Sequence, residues 1–111
     1  MLLGVRAPVA DKVFVALADP SRRAIFESLT RRELAVKDLT ARFEISQPAV
    51  SQHLAALKAA GLVKNRRDGR CVYYRVAAKG LEPLVAWIKH YRAFWTEHLG
   101  RLDDLLEKLD E

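Results

Sequence analysis

A mainly α domain with a β-hairpin, in the order ααααββα with five helices, is the fold class the sequence predicts. Three observations predict it. Apolar residues recur at helical spacing in four successive stretches up to about residue 60, the period then changes to that of strands around Asp68-Gly69, and helical spacing returns from Leu81. With 111 residues, 50% hydrophobic and 30% charged, the chain suits one folded domain, 1–111, around a single core.

Each element follows from its residues. Val9, Val13, Ala16 and Leu17 give a first short helix its apolar face. Asp19-Pro20-Ser21 marks a break and restart, because Asp19 can accept from orphan N–H groups and Pro20 suits the first helical position. Ala24, Ile25, Phe26 and Leu29 form the inward stripe of the second helix. Arg22 and Arg23 fall in its first turn, where the helix dipole disfavours cations, so a solvent or phosphate role is expected of one of them. Leu34 to Phe43 reads as a third helix, with Val36, Leu39 and Phe43 on one side. After the break Glu44-Ile45-Ser46, a fourth runs from about Gln47 to Ala60. Ser46 is its N-cap, Pro48 lies harmlessly in its first turn, and Gly61 ends it.

Leu62–Arg67 and Arg70–Val76 then read as two strands, with Asp68-Gly69 as a type I′ hairpin turn. Tyr73 and Tyr74 alternate across the second strand, so one is expected on the core and the other toward solvent or a ligand. A single long helix, about 80–110, carries a broad apolar band that includes Leu84, Trp87, Tyr91, Phe94, Trp95 and Leu102.

The charge is uneven. Residues 1–75 carry 14 Lys/Arg against 7 Asp/Glu, whereas residues 76–111 carry 5 against 7. A basic body facing a polyanion and an acidic tail with another task would produce this split, as would a merely solvated basic face. The lone Cys71 allows no internal disulfide and suits a reducing, cytoplasmic setting. No apolar run is long enough to cross a bilayer, and the first residues do not resemble a signal peptide. No phosphate-cradling glycine loop, nucleophile–base pair or metal cluster is visible, so no enzymatic activity and no cofactor are expected.

Two short helices joined by a three-residue turn (about 36–60) and followed by a hairpin (about 62–76) make a winged helix-turn-helix. An α-helix fits the major groove of B-DNA, where each base pair shows its own pattern of donors and acceptors. With Val50, Leu54 and Leu57 turned inward, Gln47, Ser51, Gln52 and His53 are left to face a duplex. Ser46 and Pro48 open that helix at its phosphate-attracting end. Arg66, Arg67 and Arg70 surround the hairpin tip, and Lys58 joins Arg31, Arg32, Lys37 and Lys64 as candidate phosphate contacts.

The run Asp19-Pro20-Ser21-Arg22-Arg23-Ala24-Ile25, the run Ser46-Gln47-Pro48-Ala49-Val50-Ser51-Gln52-His53-Leu54 and the run Ala60-Gly61-Leu62-Val63 closely resemble the ArsR/SmtB-type regulators. Asp68-Gly69-Arg70 with Tyr73-Tyr74 is similar to that family's wing, and the likeness covers about residues 10 to 78. The resemblance implies a homodimer formed by the first and last helices, an inverted-repeat operator in double-stranded DNA, and repression relieved by an inducing signal. It places Gln47, Ser51 and Gln52 where the family reads bases, and leaves His53 open between reading and orienting the helix. Many relatives carry Glu-Leu-Cys-Val-Cys-Asp-Leu in the third helix. This chain has Glu33-Leu34-Ala35-Val36-Lys37-Asp38-Leu39, which excludes soft thiolate ligation there. No metal is therefore expected as the signal, and a small organic inducer stands as one alternative among others.

Other readings stand beside these. The band of Trp87, Tyr91, Phe94 and Trp95, with Val13, Leu84 and Leu102, is assigned to a dimer interface, with a ligand pocket as the alternative. Cys71 is read as a small strand residue rather than a redox sensor, there being no second cysteine. A protein-docking winged helix would need apolar residues where Gln47, Ser51 and Gln52 stand.

Overall fold

The computed structural model describes residues 8–99 and 102–109. In chain order these form α1 (Pro8–Ala18), α2 (Pro20–Leu29), β1 (Leu34–Ala35), α3 (Val36–Phe43), α4 (Gln47–Ala59), β2 (Val63–Asp68), β3 (Cys71–Val76), a 3₁₀ turn (Ala78–Leu81), α5 (Glu82–His90), α6 (Arg92–Leu99) and α7 (Leu102–Leu109). The three strands make one antiparallel sheet in the order β1-β3-β2.

α2 and α4 begin at side-chain caps that the sequence supplies. The Asp19 carboxylate accepts from the Arg22 N–H at 3.0 Å and opens α2. Ser46 Oγ accepts from the Ala49 N–H at 3.2 Å and opens α4. α4 closes in a Schellman motif. Gly61, at φ +79°, donates to the Lys58 carbonyl, Leu62 donates to the Leu57 carbonyl, and both leucine side chains are fully buried. The core consists of Val13 from α1, Ile25, Phe26 and Leu29 from α2, Leu39 from α3, Val50, Leu54 and Leu57 from α4, and Leu34, Leu62 and Val63 around the sheet.

Five expectations shift. Leu34 and Ala35 do not begin a helix. They pair with Tyr74 and Tyr73 of β3, and α3 starts at Val36 with the Asp38 carboxylate accepting from the Ala35 N–H. Two apolar residues before a helix suit either state, and only the neighbouring strand edge decides. The hairpin turn moves by one residue. Asp68 pairs with Cys71, so the loop is Gly69–Arg70, and only Gly69 has positive φ (63°), the pattern of a type II′ turn. The last helix is not continuous. Tyr91, at φ −101° and ψ 19°, separates α5 from α6, and α7 follows as a third piece. A one-residue departure from helical dihedrals leaves the apolar spacing intact, so the pattern conceals it.

Val13, expected at a dimer interface, is instead fully buried in the core, and its neighbours Phe14 and Val15 face outward. Arg22 and Arg23, finally, reach back to α1, where Nη1 of each donates to the Ala16 and Leu17 carbonyls at 3.4 and 2.8 Å. Cations that are ill-placed at the start of α2 are well-placed at the negative end of α1.

The glycine of the 3₁₀ turn is required by a close approach. A Cβ on Gly80 would lie 1.9 Å from the Gly61 carbonyl oxygen, a backbone atom that cannot swing away. Gly80→Ala is expected to lower the thermal midpoint by several degrees or prevent folding. Leu54→Ala, which empties a fully buried position, should cost about 2–5 kcal/mol by denaturant titration.

Candidate nucleic-acid interface

α4 divides its residues sharply. Val50, Leu54 and Leu57 are completely buried, while Gln47, Pro48, Ser51, Gln52 and Lys58 are exposed. The amides and hydroxyl near its start therefore stand on an open ridge, together with Ser46 at the N-cap. Such groups both donate and accept, as base edges require.

His53 lies at the flank of this ridge rather than on it. It is half-buried, and its Nδ1 is enclosed without a hydrogen-bond partner among the described residues. It sits close enough to Asp19 to help lower that carboxyl group's pKa. Asp19 is held below the usual carboxylate range, chiefly by the hydrogen bond from the Arg22 N–H, with smaller help from Ser21, His53 and Arg22. The geometry couples His53 to the start of α2 and sets it apart from the exposed amides.

The wing carries the second group of cations, and they are not equivalent. Arg67 and Arg70 are exposed and have no ion pair with a described residue. Arg66 is engaged within the wing, although it too is exposed. Its Nε and Nη2 donate to the two carboxylate oxygens of Glu33 at 3.0 and 2.7 Å, its Nη1 lies 3.8 Å from Asp68, and its Cζ stands 4.7 Å above the Tyr73 ring. Arg75 Nη1 is 3.9 Å from the same Glu33. Arg66, grouped with the DNA contacts by sequence, is thus occupied within the wing itself. No sequence pattern points to Glu33, because it is 33 residues away from Arg66 and only the β1–β3–β2 register unites them. Of the two tyrosines, Tyr74 packs on the core and Tyr73 lies beneath Arg66.

Where many family members carry thiolates, Ala35 is buried at the start of α3 and Lys37 is exposed. Cys71 is half-buried at the start of β3. A separate apolar surface runs over α1, α5 and α6. Phe14, Trp87, Tyr91 and Phe94 are each about two-fifths exposed, and the Trp87 ring meets those of Phe14 and Tyr91 at 5.4 and 5.1 Å. Leu84 is half-buried against the core, and the side chains of Trp95 and Leu102 lie outside those described. No helix among the described residues is long and apolar enough to cross a membrane.

The Glu33 carboxyl is held below the usual range, chiefly by the hydrogen bonds from Arg66 and further by the charges of Arg66 and Arg75. A depressed folded-state value means that the clamp's contribution is complete above the ordinary glutamate range, near about pH 4–5, and is lost as pH falls through the lower folded value. A carboxyl-carbon NMR titration should show Glu33 ionising below the other glutamates, and Arg66→Ala should return it toward them.

Residues 19–65 match the bacterial regulatory protein, arsR family. The chain is 52% identical over 64 residues to the transcriptional repressor SmtB homolog of Synechocystis, a match covering 58% of this chain but only about half (48%) of that protein. It is 40% identical over 97 residues to the HTH-type transcriptional regulator Rv2034 of Mycobacterium tuberculosis, covering 87% of this chain and 88% of the relative. The ArsR-like transcriptional regulator from Rhodococcus sp. RHA1 superposes with a TM-score of 0.70 at 29% identity, over 93% of each chain. With the winged helix-turn-helix in place, these likenesses establish that the chain belongs to the ArsR family of DNA-binding transcriptional regulators.

Proposed function

We propose that this chain is a homodimeric repressor that binds an inverted-repeat operator in double-stranded DNA through α4 and the wing. The observation that carries the reading is the division of α4 into a fully buried aliphatic edge and an exposed edge of Gln47, Ser51 and Gln52. A helix held by its apolar edge presents the opposite edge rigidly, as groove recognition requires. Ser46, Pro48 and the α4 N-terminus seat a phosphate, Gln47, Ser51 and Gln52 read bases, and Lys58, Arg67 and Arg70 hold the backbone. His53 orients α4 against α2.

The aromatic face supplies the dimer. Phe14, Trp87, Tyr91 and Phe94 form an exposed apolar surface on α1, α5 and α6, and Trp95 and Leu102 are assigned to the same contact from the sequence pattern alone. A two-fold contact there sets two copies of α4 to read two half-sites of opposite sense. The releasing signal is not a metal ion held by thiolates at α3, since Ala35 and Lys37 cannot bind one. The lone cysteine fits a cytoplasmic setting.

Selection of duplexes from a random library should enrich an inverted repeat. Gln52→Ala or Ser51→Ala should then relax base preference at one position per half-site, by about 1–3 kcal/mol for each two-pronged hydrogen-bond pair removed. Arg67→Ala and Arg70→Ala should weaken binding on all sequences and each flatten the salt slope by about 1. A Gln52→Ala protein that discriminates as well as the wild type would defeat the base-reading assignment. Trp87→Glu should give a monomer in sedimentation and lose the preference for a paired site over a half-site. A Trp87→Glu protein that remains fully dimeric would place the dimer contact elsewhere.

A further inference from the structure

Phosphate attraction is indiscriminate, so the number of cations a regulator offers sets how tightly it holds any duplex, whatever its sequence. The wing has four arginines at positions 66, 67, 70 and 75, and they fall into two sets. Arg67 and Arg70, near the tip, are exposed and have no ion pair with a described residue. Arg66 and Arg75, on the flanks, both converge on one carboxylate, Glu33, at 2.7 and 3.9 Å.

The convergence is built by the sheet. Arg66 lies directly opposite Tyr73, Tyr73 lies directly opposite Ala35, and so these three positions share one face across all three strands. Glu33 stands one step before the Leu34–Tyr74 pair, in line with Arg75. Its carboxylate receives Arg66 as a two-pronged fork, the geometry that favours arginine over lysine. With Asp68 3.8 Å from the remaining nitrogen and Tyr73 beneath the plane, Arg66 offers a phosphate less than a free arginine would, although its side chain stays 47% exposed. Glu33 also lies in the link between α2 and β1, so the same bonds tie the wing to the helical body.

We infer that Glu33 limits the sequence-independent affinity of this chain for DNA, by clamping Arg66 and partly neutralising Arg75 beside it. The inference rests on the reading that α4 and the wing meet DNA. Removing the carboxylate frees two cations at once. Every sequence is then held by more phosphate contacts, and selected and scrambled duplexes gain by the same factor, because those contacts carry no sequence information.

The test uses the full chain and two duplexes of equal composition, one enriched from a random library by the wild-type protein and one scrambled from it. Binding is measured from about 50 to about 300 mM salt. Glu33→Gln should raise affinity for both duplexes roughly fivefold at low salt, steepen each salt slope by about 1 to 2, and leave the selected-to-scrambled ratio unchanged. In an Arg66→Ala/Arg75→Ala background, Glu33→Gln should change nothing, and Arg66→Ala alone should leave the wild-type slope intact. An unchanged slope and affinity in Glu33→Gln would overturn the clamp. So would the same change persisting without both arginines, since the carboxylate would then act by its own charge. Failure of the wild type to enrich any sequence would instead remove the DNA-binding premise, an outcome distinct from failure of the clamp.

Discussion

Burial of one edge of α4 is the constraint on which the other features depend. Val50, Leu54 and Leu57 have no exposed surface, and they meet Ile25, Leu39 and Leu62 from three other parts of the chain. A helix anchored by three such residues cannot rotate without exposing apolar area, at roughly 25 cal/mol per Å². Its polar edge is therefore fixed by the same packing that stabilises the fold. Stability and the orientation of that edge share a single cause, and a buried residue sets which groups the helix presents.

The wing obeys a different logic. Its strands are held by their ladder, by buried Val63 of β2 and by Tyr74 and Val76 of β3 against the core, while the rest of β2 is exposed. Burial alone would leave its direction loosely set. The ion pair of Glu33 with Arg66 supplies a second tether at a site too open to add much stability, so its value lies in geometry and in charge balance. The three-stranded sheet is what allows this. Without β1 the link before α3 would carry Glu33 elsewhere, and the wing arginines would be four equal cations.

The aromatic surface of α1, α5 and α6 belongs to neither system. Val13 of α1 turns into the core while Phe14 and Val15 turn away from it, so one short helix serves two surfaces. Phe14 lies edge-on to Trp87 and thereby joins the start of the chain to its last third. A subunit contact placed there couples to α2 through α1, whose terminal carbonyls are held by Arg22 and Arg23.

Much of this was decided locally and is written in the residues. Ser46 and Gly61 bracket α4 by capping chemistry, and the spacing of Val50, Leu54 and Leu57 already states which edge is polar. The two-strand wing follows from a change of period about a glycine turn. What the sequence by itself could not decide were matters settled by partners distant along the chain. Leu34-Ala35 becomes a strand only because Tyr73-Tyr74 offers an edge, the turn settles on Gly69–Arg70 through cross-strand register, and the last helix breaks at Tyr91 without disturbing its apolar spacing. Arg66 looks identical to Arg67 in the sequence, and they differ only because the sheet carries Glu33 to one and not to the other. Period and capping act within a few residues and are legible there, whereas pairing across a sheet joins residues that no local pattern connects.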